Sequence, residues 1–150
     1  MTAFPHHCIL DASVLIKCLV PEAETRRVRQ LVRELLAEDD AVIHVPDLLF
    51  IECANILWKK VGRGEVDAQT ARANLLDLQS MELQTTPLTE LLLSALQVAC
   101  DQRISAYDAC YLALADRLGL PLVTADVRLV NQVANSRVPV VSLSAFLSDC

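Results

Sequence analysis

Short runs of consecutive apolar residues recur along the chain, separated by longer stretches with helical periodicity. Cys8-Ile9-Leu10 ends at Asp11, and comparable runs occupy Ala41 to Val45, the surroundings of Leu83, Leu122 to Thr124, and Val138 to Val141. They predict about five short strands. They read as continuous Val, Ile and Leu rather than in-out alternation, as expected of parallel strands buried on both faces. Between them, Val28, Leu31, Val32, Leu35 and Leu36 fall at i, i+3, i+4, i+7 and i+8, with Arg26, Arg27, Arg29 and Arg33 mostly on the other side. Leu88, Leu91, Leu92, Ala95, Leu96 and Ala99 repeat the pattern. Ala68, Ala71, Leu75 and Leu78 give another helix, opened by the polar Asp67. Leu48 to Trp58 is an apolar helical segment starting near Pro46, and Val61 to Glu65, with Gly62 and Gly64, is a turn. Strands alternating with helices predict an α/β fold whose mainly parallel sheet carries helices on both faces.

A chain of 150 residues suits one hydrophobic core, so residues 1–150 are expected to form a single domain. With 53% apolar and 21% charged residues and only three Gly and six Pro, disordered, collagen-like and low-complexity classes are excluded. The longest apolar stretches, such as Leu91 to Cys100 with Ser94 and Gln97 inside, are too short to span a bilayer. No Lys or Arg precedes Lys17 and no cleavage site follows an apolar run, which disfavours a signal peptide and points to the cytoplasm. The six cysteines (Cys8, Cys18, Cys53, Cys100, Cys110, Cys150) show no C-x-x-C pair and no zinc-type histidine spacing. Four lie in apolar helical patterns, so buried reduced thiols are expected over disulfides. Thirteen basic against nineteen acidic residues give a formal charge of −6, leaving no overall positive field to hold a polyanion. Any nucleic-acid role must rest on a local patch.

In open parallel sheets the ligand crevice lies beyond the carboxyl ends of the strands. Asp11 ends the first apolar run and Asp126 follows the fourth, although Asp is also a favoured turn and cap residue. Glu52 interrupts the apolar segment Leu48 to Trp58, with Asn55, Lys59 and Arg63 on its side of the helix, so it is either a partly buried acid or a surface group paired with Lys59. Asp108 follows Ser105 at capping-box spacing, and for Asp108 alone the cap suffices. Together the four carboxylates can converge at one end of a parallel sheet, where they would repel and retain protons unless cations neutralised them. Hard divalent cations with oxygen ligands, Mg²⁺ or Mn²⁺, answer that need and support phosphodiester hydrolysis. Lys59, Lys60 and Arg63 could form a positive rim beside Glu52, with Lys17 and Arg103 as further cations, or all could belong to a solvated face. His6, His7 and His44 are expected to be exposed or hydrogen-bonded and receive no role.

Four stretches, in order along nearly the whole chain, carry a family likeness: Leu10-Asp11-Ala12-Ser13; Pro46 through Glu52; Tyr107-Asp108-Ala109 with Leu112-Ala113-Leu114-Ala115; and Val123-Thr124-Ala125-Asp126 with Leu129. The sequence resembles the PIN-domain ribonucleases, most closely the VapC-like toxins of bacterial toxin-antitoxin pairs. That resemblance implies a three-layer α/β/α fold and metal-dependent endoribonuclease activity. Asp11, Glu52, Asp108 and Asp126 would be the acidic quartet that holds Mg²⁺ or Mn²⁺, while Ser13 and Thr124 would orient ligands or waters. It further implies an RNA substrate, a cognate antitoxin over the groove, and a homodimer, and Lys59 and Arg63 of the basic rim are the candidate contacts for that RNA. Aromatic residues, at 4%, are too scarce for a broad base-stacking platform, so RNA shape and backbone contacts are expected to dominate recognition.

The alternatives are a non-catalytic PIN-like module that binds RNA or protein, or a housekeeping PIN nuclease. Carboxylates at all four matched positions count against the first. An aspartyl-phosphate enzyme or receiver also places Asp after a first parallel strand. Ser13 stands where the D-x-D phosphatase pattern needs its second Asp, and Val138 to Ser142 supplies no receiver-type Lys.

Overall fold

Five strands, β1 (His7–Leu10), β2 (Val42–Pro46), β3 (Leu83–Thr86), β4 (Leu122–Thr124) and β5 (Val140–Ser142), pair entirely in parallel in the order β3-β2-β1-β4-β5. The computed structural model describes residues 3–21 and 25–147. All five apolar runs are strands. The last begins two residues later than its apolar run because Pro139 accepts a bond from the Leu122 amide through its carbonyl but has no N–H to give the ladder.

Seven α-helices connect and cover the strands: α1 (Ala12–Leu19), α2 (Thr25–Leu36), α3 (Leu48–Gly62), α4 (Ala68–Ser80), α5 (Leu92–Gln102), α6 (Ala106–Leu118) and α7 (Val127–Gln132). Cys8, Ile9 and Leu10 point alternately to opposite faces of β1 and all are buried, so helices pack on both sides. α2 buries Val28, Val32 and Leu35, as its periodicity predicts. Its Arg29 turns back to cap α1, donating to the carbonyl oxygens of Cys18 and Leu19. α1 went unread in the sequence because six of its eight residues are buried, and a helix with almost no polar face shows little periodicity. The expected helix over Leu88 to Ala99 is broken: Leu88–Glu90 form a 3₁₀ turn and α5 starts at Leu92. The Leu88 amide is held at 2.8 Å by Oδ1 of Asp47, the residue before α3, which fixes that turn across the sheet end.

The free thiols of Cys8, Cys18, Cys53 and Cys110 are buried and Cys100 is exposed; Cys150 lies outside the described residues. Burial pushes Cys8 and Cys53 up to about 12, which suits core packing and not reactivity. No helix among the described residues is long and apolar enough to cross a membrane.

This strand order positions the site. β2 lies on one side of β1 and β4 on the other, so chain direction across the sheet reverses at β1 and opens a crevice at the carboxyl ends of β1 and β4. Asp11 and Asp126 follow those two ends.

Candidate active site

Asp11 occupies the cap position of α1 with an extended backbone, yet its side chain makes no cap bond. Its Oδ2 instead accepts from Ser13 Oγ at 2.7 Å and from Thr124 Oγ1 at 2.6 Å, and the residue is only 7% exposed. Capping therefore does not explain this carboxylate. Thr124, fully buried at the end of β4, also accepts from the Asp126 amide at 3.0 Å, while Ser13 Oγ accepts from the Ala125 amide at 3.0 Å. These two hydroxyls stitch the corner after β1 to the corner after β4.

Glu52 sits in the second turn of α3, half-buried, and its Oε1 accepts from the phenol of Tyr111 on α6 at 2.7 Å. Burial pushes Glu52 up to about 7; the Tyr111 bond opposes that rise, and the charges of Asp11 and Asp108 add to it. Asp108, in the first turn of α6, is also raised, first by burial and then by Asp11 and Asp126, against the lowering effects of Ser105 and Arg128. Ser105 caps α6 by accepting from the Asp108 amide at 3.1 Å and donates to Asp108 Oδ2 at 3.0 Å. Asp126 caps α7 through Oδ1, which accepts from the amides of Arg128 at 2.9 Å and Leu129 at 3.3 Å. For Asp126 the capping explanation is correct as far as it goes, whereas at α6 the cap is Ser105 and the Asp108 carboxylate accepts from the Ser105 hydroxyl.

A common pattern runs through the quartet. One oxygen of each carboxylate is held by a protein donor: Oδ2 of Asp11, Oε1 of Glu52, Oδ2 of Asp108 and Oδ1 of Asp126. Among the described residues, the second oxygen of each has no hydrogen-bond partner from the protein. Four oriented oxygens, two of them on carboxyls raised by burial and by neighbouring acids, form an all-oxygen donor set, which fits a hard divalent cation. The oxygens do not crowd together. Among the described residues, the one trio of ligating side chains with donor atoms within 4.8 Å is His6, Glu38 and Asp40. There His6 Nδ1 lies 3.2 Å from Glu38 and 3.6 Å from Asp40, all exposed, before β1 and β2 and thus at the opposite end of the sheet.

The expected basic rim is thinner than its sequence suggests. Lys60 binds Glu65 at 3.0 Å and Arg63 approaches the same carboxylate at 3.7 Å, because the turn after α3 folds Glu65 back onto the helix end. Lys59 is exposed one residue beyond Trp58, and Arg103 closes α5 in the left-handed conformation, φ 57°. Two residues missed in the sequence belong here. Arg128, 91% exposed along its side chain, lies 3.7 Å from Asp126. Tyr111 stands three residues after Asp108 in an apolar run, and a tyrosine buried in such a run needs a partner for its hydroxyl; that was the available signal.

The PIN domain family profile matches residues 8–135. Ribonuclease VapC3 of Pyrobaculum aerophilum is 31% identical over 126 residues, covering 83% of this chain and 92% of that protein. In structure, the chain is similar to PAE2754 from Pyrobaculum aerophilum, with a TM-score of 0.67 at 23% identity, covering 95% of this chain and 87% of the other. It is also similar to a chain of a toxin-antitoxin complex from Klebsiella pneumoniae, with a TM-score of 0.58 at 16% identity, covering 89% and 95%.

Proposed function

Because the chain belongs to the PIN-domain family, we propose that it is an endoribonuclease that hydrolyses RNA phosphodiester bonds at Asp11, Glu52, Asp108 and Asp126, as the toxin of a toxin-antitoxin pair. The observation that carries this reading is the half-tethered quartet, in which each carboxylate keeps one oxygen directed by a protein donor and the other without one. The four carboxylates would hold Mg²⁺ or Mn²⁺, which when bound acidifies a water and neutralises charge on the departing oxygen. Ser13 and Thr124 fix the Asp11 carboxylate across the crevice between β1 and β4. Tyr111 fixes Glu52, and Ser105 fixes Asp108, so each acid presents a defined lone pair without a search through rotamers. A bound cation would favour the ionised forms of Glu52 and Asp108, whose carboxyls burial raises. Lys59, Arg63 and Arg128 supply cationic contacts to RNA phosphates, compensating locally for the net charge of −6.

A protein antitoxin is the partner in this reading, in keeping with the toxin-antitoxin complex from Klebsiella pneumoniae whose fold the chain shares, and it would cover the acidic groove. The protein acts as one domain, as a homodimer, in the cytoplasm. The experiment incubates purified, antitoxin-free protein with structured RNAs in Mg²⁺, Mn²⁺ or EDTA, beside Asp11→Asn. Cutting that requires both the cation and Asp11 is the expected result. A well-folded protein that cuts none of them in either metal would move the assignment to a non-catalytic PIN-like module.

A further inference from the structure

Beside Glu52 a cleft of about 570 Å³ opens between α3 and the start of α6, lined by Leu48, Ile51, Glu52, Ala54, Asn55, Trp58 and Tyr107. Ile51, Asn55 and Trp58 fall at i, i+4 and i+7 and form one stripe on α3. Trp58 is 69% exposed and Tyr107 is 63% exposed, although both are large rings that a folded chain ordinarily buries. Trp58 is the chain's one tryptophan and Tyr107 one of its two tyrosines, so an aromatic-poor protein places two of its rings in solvent at a single spot. Among the described residues, the Asn55 amide has no hydrogen-bond partner from the protein.

We propose that this cleft is a nucleobase subsite, in which Trp58 and Tyr107 stack on one unpaired base of the RNA while the Asn55 amide meets the base edge. The inference rests on the nuclease reading above and adds where the nucleotide next to the cut is held. Continuity decides the occupant. Glu52 belongs both to the acidic quartet and to the cleft wall, and Tyr107 directly precedes Asp108, so a strand with its phosphate at the quartet carries a base into the cleft. The volume lies within the range of pockets that enclose a small ligand. Aromatic faces accept any base, and the amide can both donate and accept, so stacking supplies affinity and Asn55 supplies preference. Two rings cannot form the broad platform that the composition excludes, but they suffice for one base.

Because Trp58 is the only tryptophan, its fluorescence reports this cleft alone. The cutting-deficient Asp11→Asn protein is titrated with short unlabelled single-stranded RNA and with an abasic ribose-phosphate chain of equal length, while anisotropy of end-labelled RNA measures binding independently. The base-bearing RNA should quench Trp58 and the abasic chain should not. Trp58→Ala should weaken binding about tenfold and Trp58→Phe should restore most of it, with unchanged circular dichroism. RNA that binds by anisotropy without moving Trp58 emission, or equal quenching by the abasic chain, overturns the subsite and leaves the nuclease intact. A Trp58 blue shift that grows with protein concentration alone, together with exclusion of RNA, also overturns it, because a second copy then covers the cleft. Wild-type protein that neither binds nor cuts RNA overturns both readings.

Discussion

The hydroxyl of Tyr111 donates to Oε1 of Glu52 at 2.7 Å from a side chain with no exposed surface, tying α6 to α3 at the edge of the acidic crevice. Burial and the neighbouring carboxylates push the Tyr111 phenol far above its ordinary range, so it remains a donor at any pH at which the protein stays folded.

Replacing Tyr111 by Phe removes one hydrogen bond to a charged acceptor, worth about 1.5–3 kcal/mol when the acceptor is ionised. The bond lowers the Glu52 pKa, so its loss raises it. The acid limb of the cleavage rate against pH should move to higher pH, and the half-saturating Mg²⁺ concentration should rise about tenfold. A pH-rate series at several Mg²⁺ concentrations, with thermal melts as control, checks this; a lowered melting point with an unmoved pH profile would make Tyr111 structural only.

Stability without metal should fall as pH rises. Glu52 binds its proton with a pKa of about 7 in the folded protein against 4.5 in the reference state. Its contribution is therefore fully present below about pH 4.5 and lost as pH climbs through 7, on the order of 1–3 kcal/mol. Asp108 acts in the same direction. Urea denaturation in EDTA at about pH 5 and about pH 8 should show the decline, Glu52→Gln should flatten it, and Mn²⁺ should restore stability at the higher pH. No response to Mn²⁺ would count against cation binding at the quartet.

Asp11→Asn should abolish RNA cutting with a small change in melting temperature, because the amide oxygen still accepts from Ser13 and Thr124 while the negative charge is gone. Asp11→Ala should cost about 1–3 kcal/mol in addition, since the fully buried Thr124 hydroxyl loses its acceptor. Cleavage assays paired with calorimetry distinguish the two losses.

At Asp126 the two roles separate by chemistry. Asn caps helices about as well as Asp, so Asp126→Asn should keep α7 and lose activity, whereas Asp126→Ala should lose activity and about 1 kcal/mol of stability. Retained cutting in Asp126→Asn would reduce this residue to a cap.

Strand positions were legible because β1 and β4 are buried on both faces, which writes a continuous apolar run into the sequence, while β2 buries Ile43 and Val45 around the half-buried His44. Asp11 and Asp126 could be named because the residue after a parallel strand is where chemistry collects, and Glu52 because an acid stands out in an apolar helix. What stayed hidden depends on distance in the chain. The Tyr111–Glu52 bond joins positions 59 residues apart, and no local pattern encodes it. Lys60 reads as a free cation until the turn through Gly64, φ 71°, brings Glu65 back to it. Trp58 and Tyr107 each read as ordinary apolar positions, and only the folded chain brings both to the wall of one cleft.

The Thr124 hydroxyl reaches Asp11 across 113 residues of sequence. During synthesis, the first strand and its acid leave the ribosome long before β4 exists to pair with it, and contacts of such separation form late. A nascent chain surrounded by RNA thus carries no assembled acidic quartet, the centre proposed above for RNA cleavage, until most of its length has emerged. That proposed centre comes together in the same step that pairs β4 with β1 in the middle of the sheet.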